Sequence, residues 1–166
     1  VLRPVAPGEN VVQIGEDVQQ GDQVLPQGHV IRPQDIGGML ALGLQSVQMA
    51  RRPRVAIVST GDELVTPDKK PGPGQIRDIN TYTIAGLITN CGGVPVPIAM
   101  VEDDFEAQKT AAAEAMERGD IVVFSAGSSV SSRDMTASVF ESLDGSKILA
   151  HGISIRPGKP TIIGMA

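Results

Sequence analysis

The chain has 166 residues, 41% hydrophobic and 20% charged, which is enough for one domain with a real core, or for one domain and part of another. A net charge of −5 excludes a general nucleic-acid surface, and a single cysteine, Cys91, excludes an internal disulfide and fits a reducing cytoplasm. No apolar run reaches membrane-spanning length, and aromatic residues at 2% require an aliphatic core.

Taken in order, Val1 to Val12 carries Pro4, Pro7 and Gly8 and predicts an incoming linker with a short strand. Gly15 and Gly21 mark turns, and Gly15-Glu16-Asp17 forms an acidic one. Pro33 to Gly43 predicts a helix, with Pro33 at its first position and Ile36, Leu40 and Gly43 on one side. Ser46 to Ala50 alternates like a strand. Residues 1–53 are therefore expected to form a short β-containing lead-in. The apolar run Val55-Ala56-Ile57-Val58 then predicts a strand buried on both faces. A long Pro- and Gly-rich loop follows Leu64 and ends at Asp78 and Asn80, where Asn80 is expected to cap a helix over Thr81–Asn90. Val94 to Val101 contains Pro95 and Pro97, which predicts an edge or irregular strand.

Phe105 to Arg118 predicts an Ala-rich helix ended by Gly119, and Ile121 to Phe124 another buried strand. Ser125 to Asp134, SAGSSVSSRD, leads from that strand into a helix expected from near Arg133 to about Leu143. Small and hydroxyl residues there can aim N–H and O–H groups at an anion. Ile148 to Ile155 predicts a strand before Arg156-Pro157-Gly158-Lys159-Pro160, where two prolines hold a cation at a strand end. Strands alternating with helices from Arg54 onward predict a three-layer αβα domain with a mostly parallel sheet over residues 54–166. The chain starts at Val1 and stops at Ala166 after an apolar run, so a C-terminally truncated fragment of a longer protein is expected.

STGDEL at Ser59–Leu64, PGPGQIRDIN at Pro71–Asn80, the Ser125–Asp134 loop and RPGKP at Arg156–Pro160 occur in one order and at suitable spacing. Together they resemble the molybdopterin molybdenumtransferases, the MoeA type to which the gephyrin E domain also belongs. The GEN and GED turns and PQDIGGMLALGL resemble that family as well. The resemblance implies insertion of molybdenum from molybdate into adenylated molybdopterin with release of AMP, in a cytoplasmic homodimer that uses Mg2+. The acidic charge and the lack of a spanning apolar run leave nucleic acid and membrane out of the expected partners.

Carried over by position, the resemblance implies Asp62 and Glu63 as the acidic heart of the site, with Asp78 beside them and Lys159 completing the catalytic set. It gives Asn80, Ser125, Gly127, Ser129, Asp134, Pro157 and Gly158 to cofactor binding, together with Glu16 of the acidic turn. Asp62 with Asp78 could hold the metal, and Lys159 or an arginine could hold molybdate. Ala126, Ser131, Met135 and Ile79 depart from the family pattern. Two alternatives stand beside the transferase: a molybdopterin adenylyltransferase or nucleotide pyrophosphatase on the same domain, and a non-catalytic scaffold. RPGKP and the lead-in favour the transferase.

Overall fold

The computed structural model describes residues 4–125 and 130–166; of residues 130–134 it describes the backbone alone. The chain divides into two compact units, Val1–Met49 and Ala50–Ala166.

The first unit contains helix α1, Pro33–Ala41. Asp35 in its first turn accepts from the Arg32 backbone N–H at 2.8 Å, from the Arg32 guanidinium, and lies 2.7 Å from His29 Nε2. The preceding segment is a series of tight turns closed by carboxylates. Glu9 accepts from Ala6 N–H, Glu16 from Gln13 N–H and Asp22 from Gln19 N–H, each three residues back. The strands expected in the lead-in are absent among the described residues: nothing between residues 4 and 53 pairs as a strand. A strand needs a hydrogen-bonded neighbour, and in the turns at Ala6, Gln13 and Gln19 local carboxylates satisfy the backbone N–H groups instead.

The second unit is built on β1, Arg54–Thr60, whose residues from Val55 onward are all buried. After it come the two-residue strands β2, Leu64–Val65, and β3, Ile76–Arg77, which pair in parallel. Helix α2, Asn80–Asn90, leads to β4, Val94–Val101. Helix α3, Phe105–Arg118, leads to β5, Ile121–Ser125. Helix α4, Val130–Glu141, precedes β6, Lys147–His151, and β7, Ile162–Met165.

The central sheet has the order β4-β1-β5 and is parallel throughout. β4 is an edge strand, as its prolines require, and its register against β1 shifts between Ile57 and Val58. The chain runs from β1 through α2 outward to β4, then returns through α3 across β1 to β5. Right-handed crossovers in opposite directions place α2 and α3 on opposite faces. The alternation of β1 agrees: Ala56 and Val58 form a buried cluster with Ala111 and Ala115 of α3, while the Ser59 hydroxyl reaches Thr81 of α2. Burying Val58 completely is worth roughly 1.5–3 kcal/mol.

The alanines of α3 let the helix lie close to the strand. Gly119, just after it, has no room for a side chain, since a Cβ there would stand 2.8 Å from that of Ala56. The expected strand over Ile148–Ile155 differs in kind from the parallel strands. It is shortened to β6, which pairs antiparallel with β7 in a separate two-stranded sheet, and α4 packs on β6. Helix α4 also starts at Val130, earlier than Arg133.

The entry to β1 is fastened by Asp120, which stands at the start of β5. Its carboxylate takes a two-pronged bond from the Arg51 guanidinium at 2.5 and 2.6 Å and another from Arg54 N–H at 2.8 Å. The Arg51 bond first, then the backbone N–H, hold the Asp120 carboxyl far below the usual carboxylate range. A depressed carboxylate contributes stability above its unfolded pKa, about 3.9, and loses it as pH falls further. Asp120→Asn is therefore expected to lower the melting temperature at pH 7 by a few degrees. The difference from wild type should shrink as the pH drops below about 4, a trend that thermal melts across pH will check.

Candidate active site at the carboxyl end of the central sheet

Two groups of polar side chains gather where β1 ends, one on each face. On the α2 face the buried Ser59 hydroxyl lies 2.8 Å from Thr81 Oγ1 and donates to Asp78 Oδ1 at 3.4 Å. Asp78 also accepts from Thr81 N–H at 3.1 Å and from the Thr81 hydroxyl at 2.6 Å. The short β2–β3 pairing delivers it there: Ile76 N–H donates to Glu63 O and Asp78 N–H to Val65 O, closing the long loop at its base. Asp78 is thus buried and serves the first turn of α2 as a side-chain acceptor.

Asn80 does not cap α2. It is the first helical residue, and its amide Nδ2 donates to Ser125 Oγ at 2.9 Å. That bond joins the end of β5 to the start of α2. The chain leaves β1 toward β4 and leaves β5 toward α4, so β1 and β5 flank the switch point where open α/β sheets hold ligands. The N-terminus of α2 opens on the same crevice and favours an anion.

On the α3 face, Gly61 turns the chain out of β1 with φ +148, and its N–H donates to Val101 O of β4 at 3.1 Å. That backbone conformation favours glycine, and a Cβ at Gly61 would lie 2.7 Å from Glu63 Oε2, so a side chain there would also push the carboxylate aside. Asp62 Oδ1 accepts from Asp103 N–H at 2.9 Å, which brings a third acid to the turn. Burial, and then the charges of Asp62 and Glu63, push the Asp103 carboxyl above the usual range. Gln108, fully buried in α3, points its amide Nε2 toward Asp103 at 3.5 Å. Its Oε1 and the Thr60 hydroxyl are buried without a hydrogen-bond partner among the described residues. Among the described residues, no three His, Cys, Asp or Glu side chains are placed to hold a metal together.

The remaining sequence candidates belong to other elements. Pro157, Gly158 and Lys159 lie in the turn between β6 and β7, where Lys159 O accepts from Ile153 N–H at 2.9 Å and the Lys159 side chain is exposed. Gly158, at φ +107, would crowd Ile155 if it carried a Cβ. Glu16 belongs to the first unit and closes its own turn. Gly127 and Ser129 lie outside the described residues, as does the side chain of Asp134.

The structure adds Ser59, Thr81, Asp103 and Gln108 to the sequence candidates. The pair of hydroxyl residues that closes the apolar run, Ser59 and Thr60, was a signal for Ser59, because a hydroxyl that stays buried with the strand needs a partner. Asp103 stood at a strand-to-helix junction, but nothing local tied it to Asp62. Gln108 gave no signal.

Comparison with known proteins decides the family. Residues 56–166 match the family described as "Probable molybdopterin binding domain", two thirds of the chain. The chain belongs to that family. Residues 1–43 match the MoeA N-terminal region, domains I and II. A molybdopterin molybdenumtransferase of Nostoc is 38% identical over 98% of this chain and 37% of its own length. One from Haemophilus influenzae is 34% identical over 95% of this chain and 39% of its own. The crystal structure of a molybdopterin biosynthesis MoeA protein from Pyrococcus horikoshii superimposes with a TM-score of 0.82 at 38% identity, over 98% of this chain and 40% of that one. The chain thus spans about two fifths of the length of these relatives. Among the described residues, no helix is long and apolar enough to cross a membrane.

In this molybdopterin-binding domain the two faces of β1 should respond differently to loss of charge. Asp78→Ala removes a buried acceptor from Thr81 and Ser59 and should cost about 1–3 kcal/mol of stability in chemical denaturation. Asp103→Asn should do the reverse. It relieves crowding with Asp62 and Glu63 and keeps the backbone N–H that bonds Asp62. A raised carboxylate pKa makes the ionised form costly at neutral pH and harmless once protonated. The variant should therefore melt slightly higher than wild type at pH 7, with the gain vanishing in acid.

Proposed function

We propose that the full-length protein inserts molybdenum from molybdate into adenylated molybdopterin and releases AMP. The observation that carries this reading is the meeting of Asp62, Glu63 and Asp103 at the carboxyl end of β1, on a domain of the molybdopterin-binding family. The match of residues 1–43 to the MoeA N-terminal region favours this transferase over an adenylyltransferase, a nucleotide pyrophosphatase or a scaffold.

The substrate carries phosphates, and the reaction breaks the phosphoanhydride that joins the pterin's phosphate to AMP. The crevice beside Asn80 and Ser125 offers the N-terminus of α2, a hydroxyl and an amide to such oxygens. Gly127, Ser129 and Asp134 of the adjoining loop, with Pro157 and Gly158, are assigned to the same ligand by family position. Lys159 supplies a cation for molybdate or phosphate.

Crowded carboxylates with spare oxygens fit a hard divalent cation. Magnesium uses one or two carboxylates and completes its shell with water and substrate phosphates, so a cage of three protein acids is not required. Asp62 with Glu63 would hold Mg2+, and the ion would neutralise charge developing on the phosphate oxygens. Asp78 has both oxygens engaged by Ser59 and Thr81 and is given a positioning role instead. The homodimer and the cytoplasmic location are adopted from the family resemblance.

Asp62→Asn tests the assignment. Asn keeps the size and the acceptor for Asp103 N–H but loses the negative charge. In the full-length protein its melting temperature should stay within about 2 °C of wild type. Release of AMP from adenylated molybdopterin with molybdate present should fall at least ~100-fold. Normal AMP release by a normally folded variant would leave Asp62 a turn residue and sink the mechanism.

A further inference from the structure

Helix α3 carries one polar residue on its buried face. Gln108 is completely withdrawn from water, in a row with Ala111 and Ala115, which pack on Ala56 and Val58 of β1. Thr60 follows Val58 on the same side of β1 and is buried as well. An aliphatic pair at these two positions would extend the core by one more layer. Instead, Gln108 Oε1 and Thr60 Oγ1 lack a hydrogen-bond partner among the described residues, and a buried, unpaired oxygen is a standing cost to the fold. The packing of α3 on β1 asks for no amide at this position.

The place of Gln108 in the helix shows what the amide does. Asp104 is the N-cap of α3 and accepts from Ala107 N–H at 2.9 Å. Asp103 is then the residue before the cap, and Gln108 is the fourth residue of the helix. Side chains at these two positions meet, and an apolar pair there commonly fixes the angle at which the chain enters a helix. Here the pair is a carboxylate and an amide, with Gln108 Nε2 3.5 Å from Asp103 Oδ1. An ionised carboxylate only accepts, so the nitrogen end of the amide is the end that faces it. At that length the amide orients the carboxylate without clamping it. Asp103 is tied through its backbone too, its N–H donating to Asp62 Oδ1 at 2.9 Å.

We infer that Gln108 is a positioning residue for the cation site: its amide keeps the Asp103 carboxylate turned toward Asp62 and Glu63 and so holds the acidic cluster together. Three like charges left to themselves would swing apart, and a buried amide donor offsets part of that repulsion without adding a charge. Among the described residues no three acids are placed to hold a metal together, so Asp103 acts on the cation through its charge rather than as a ligand. Removing the amide should therefore leave stability equal or higher while lowering cation affinity. A purely structural residue would lower stability and leave Asp103 out of the effect. The inference rests on the proposed function for its cation. It goes beyond that function by giving a role to a residue that, being fully buried, reaches neither cation nor substrate.

Binding of Mn2+, a hard cation that shares its oxygen ligands with Mg2+, can be followed on the full-length protein by the paramagnetic resonance of the free ion. Gln108→Leu should weaken that binding at least ~5-fold, with a melting temperature equal to or above that of wild type. Gln108→Met, unbranched and of similar length, should behave in the same way and decides the matter if leucine does not pack. Gln108→Leu made in an Asp103→Ala background should shift the affinity less than ~2-fold, since the amide then has no carboxylate to hold. Wild-type affinity in either folded variant, an undiminished loss in the Asp103→Ala background, a lowered melting temperature in both variants, or no Mn2+ binding by wild type would each overturn the assignment. AMP release, measured separately, tells the two readings apart. A protein whose Mn2+ affinity depends on Gln108 but which releases no AMP defeats the transferase alone. One that releases AMP while binding Mn2+ independently of Gln108 defeats only the positioning role.

Discussion

β1 has to be enclosed on every side, and the site depends on that enclosure. Its neighbours in the sheet are β4 and β5, α3 packs on one face and α2 on the other, and Ala56, Ile57 and Val58 are almost completely withdrawn from water. A strand so held cannot shift register without moving every side chain to the wrong face. Its last residues therefore leave the core at a fixed height. Ser59 faces α2, and Asp62 emerges beyond Gly61 to meet Asp103.

The polar groups at that end divide into two kinds. Ser59, Thr81 and Asp78 satisfy one another and are largely buried, so they fix the start of α2 and the closing of the loop. Asp62, Glu63 and Asp103 repel one another, which a domain selected for stability alone would have little reason to retain. Unfavourable charge concentrated at the end of a rigid strand is the arrangement expected where a cation or a polar substrate completes the site. The buried, unpartnered oxygens of Thr60 and Gln108 lie on the same α3 side of β1.

Much of the fold was legible because its signals are local. A short β-branched run flanked by turn residues identifies a buried strand wherever it ends up, and the Ala-rich segment before Gly119 declares both its helix and its stop. Prolines at 95 and 97 placed β4 on an edge, where the structure has it. The lead-in misled for the converse reason. Alternation between Val47 and Met49 predicts a strand only if a partner is present, and none pairs with it among the described residues. RPGKP likewise stands at a strand end, but on the antiparallel β6–β7 pair, a matter of pairing that no residue pattern specifies.

By itself, then, the sequence determined the elements of the α/β domain, the acidic turn after β1 and the order of motifs that identifies the family. These depend on residues close in the chain, where periodicity, capping and turn chemistry act. Only the tertiary structure decided that Asp103 joins Asp62 across 41 positions, that Asn80 bonds Ser125 across 45, and that Asp78 is a buried acceptor for Ser59 and Thr81. Those pairings follow from strand order and crossover direction, which bring the ends of separate strands to one edge. Contacts of that range are set by how whole elements pack, and so they leave no mark in any single stretch of residues.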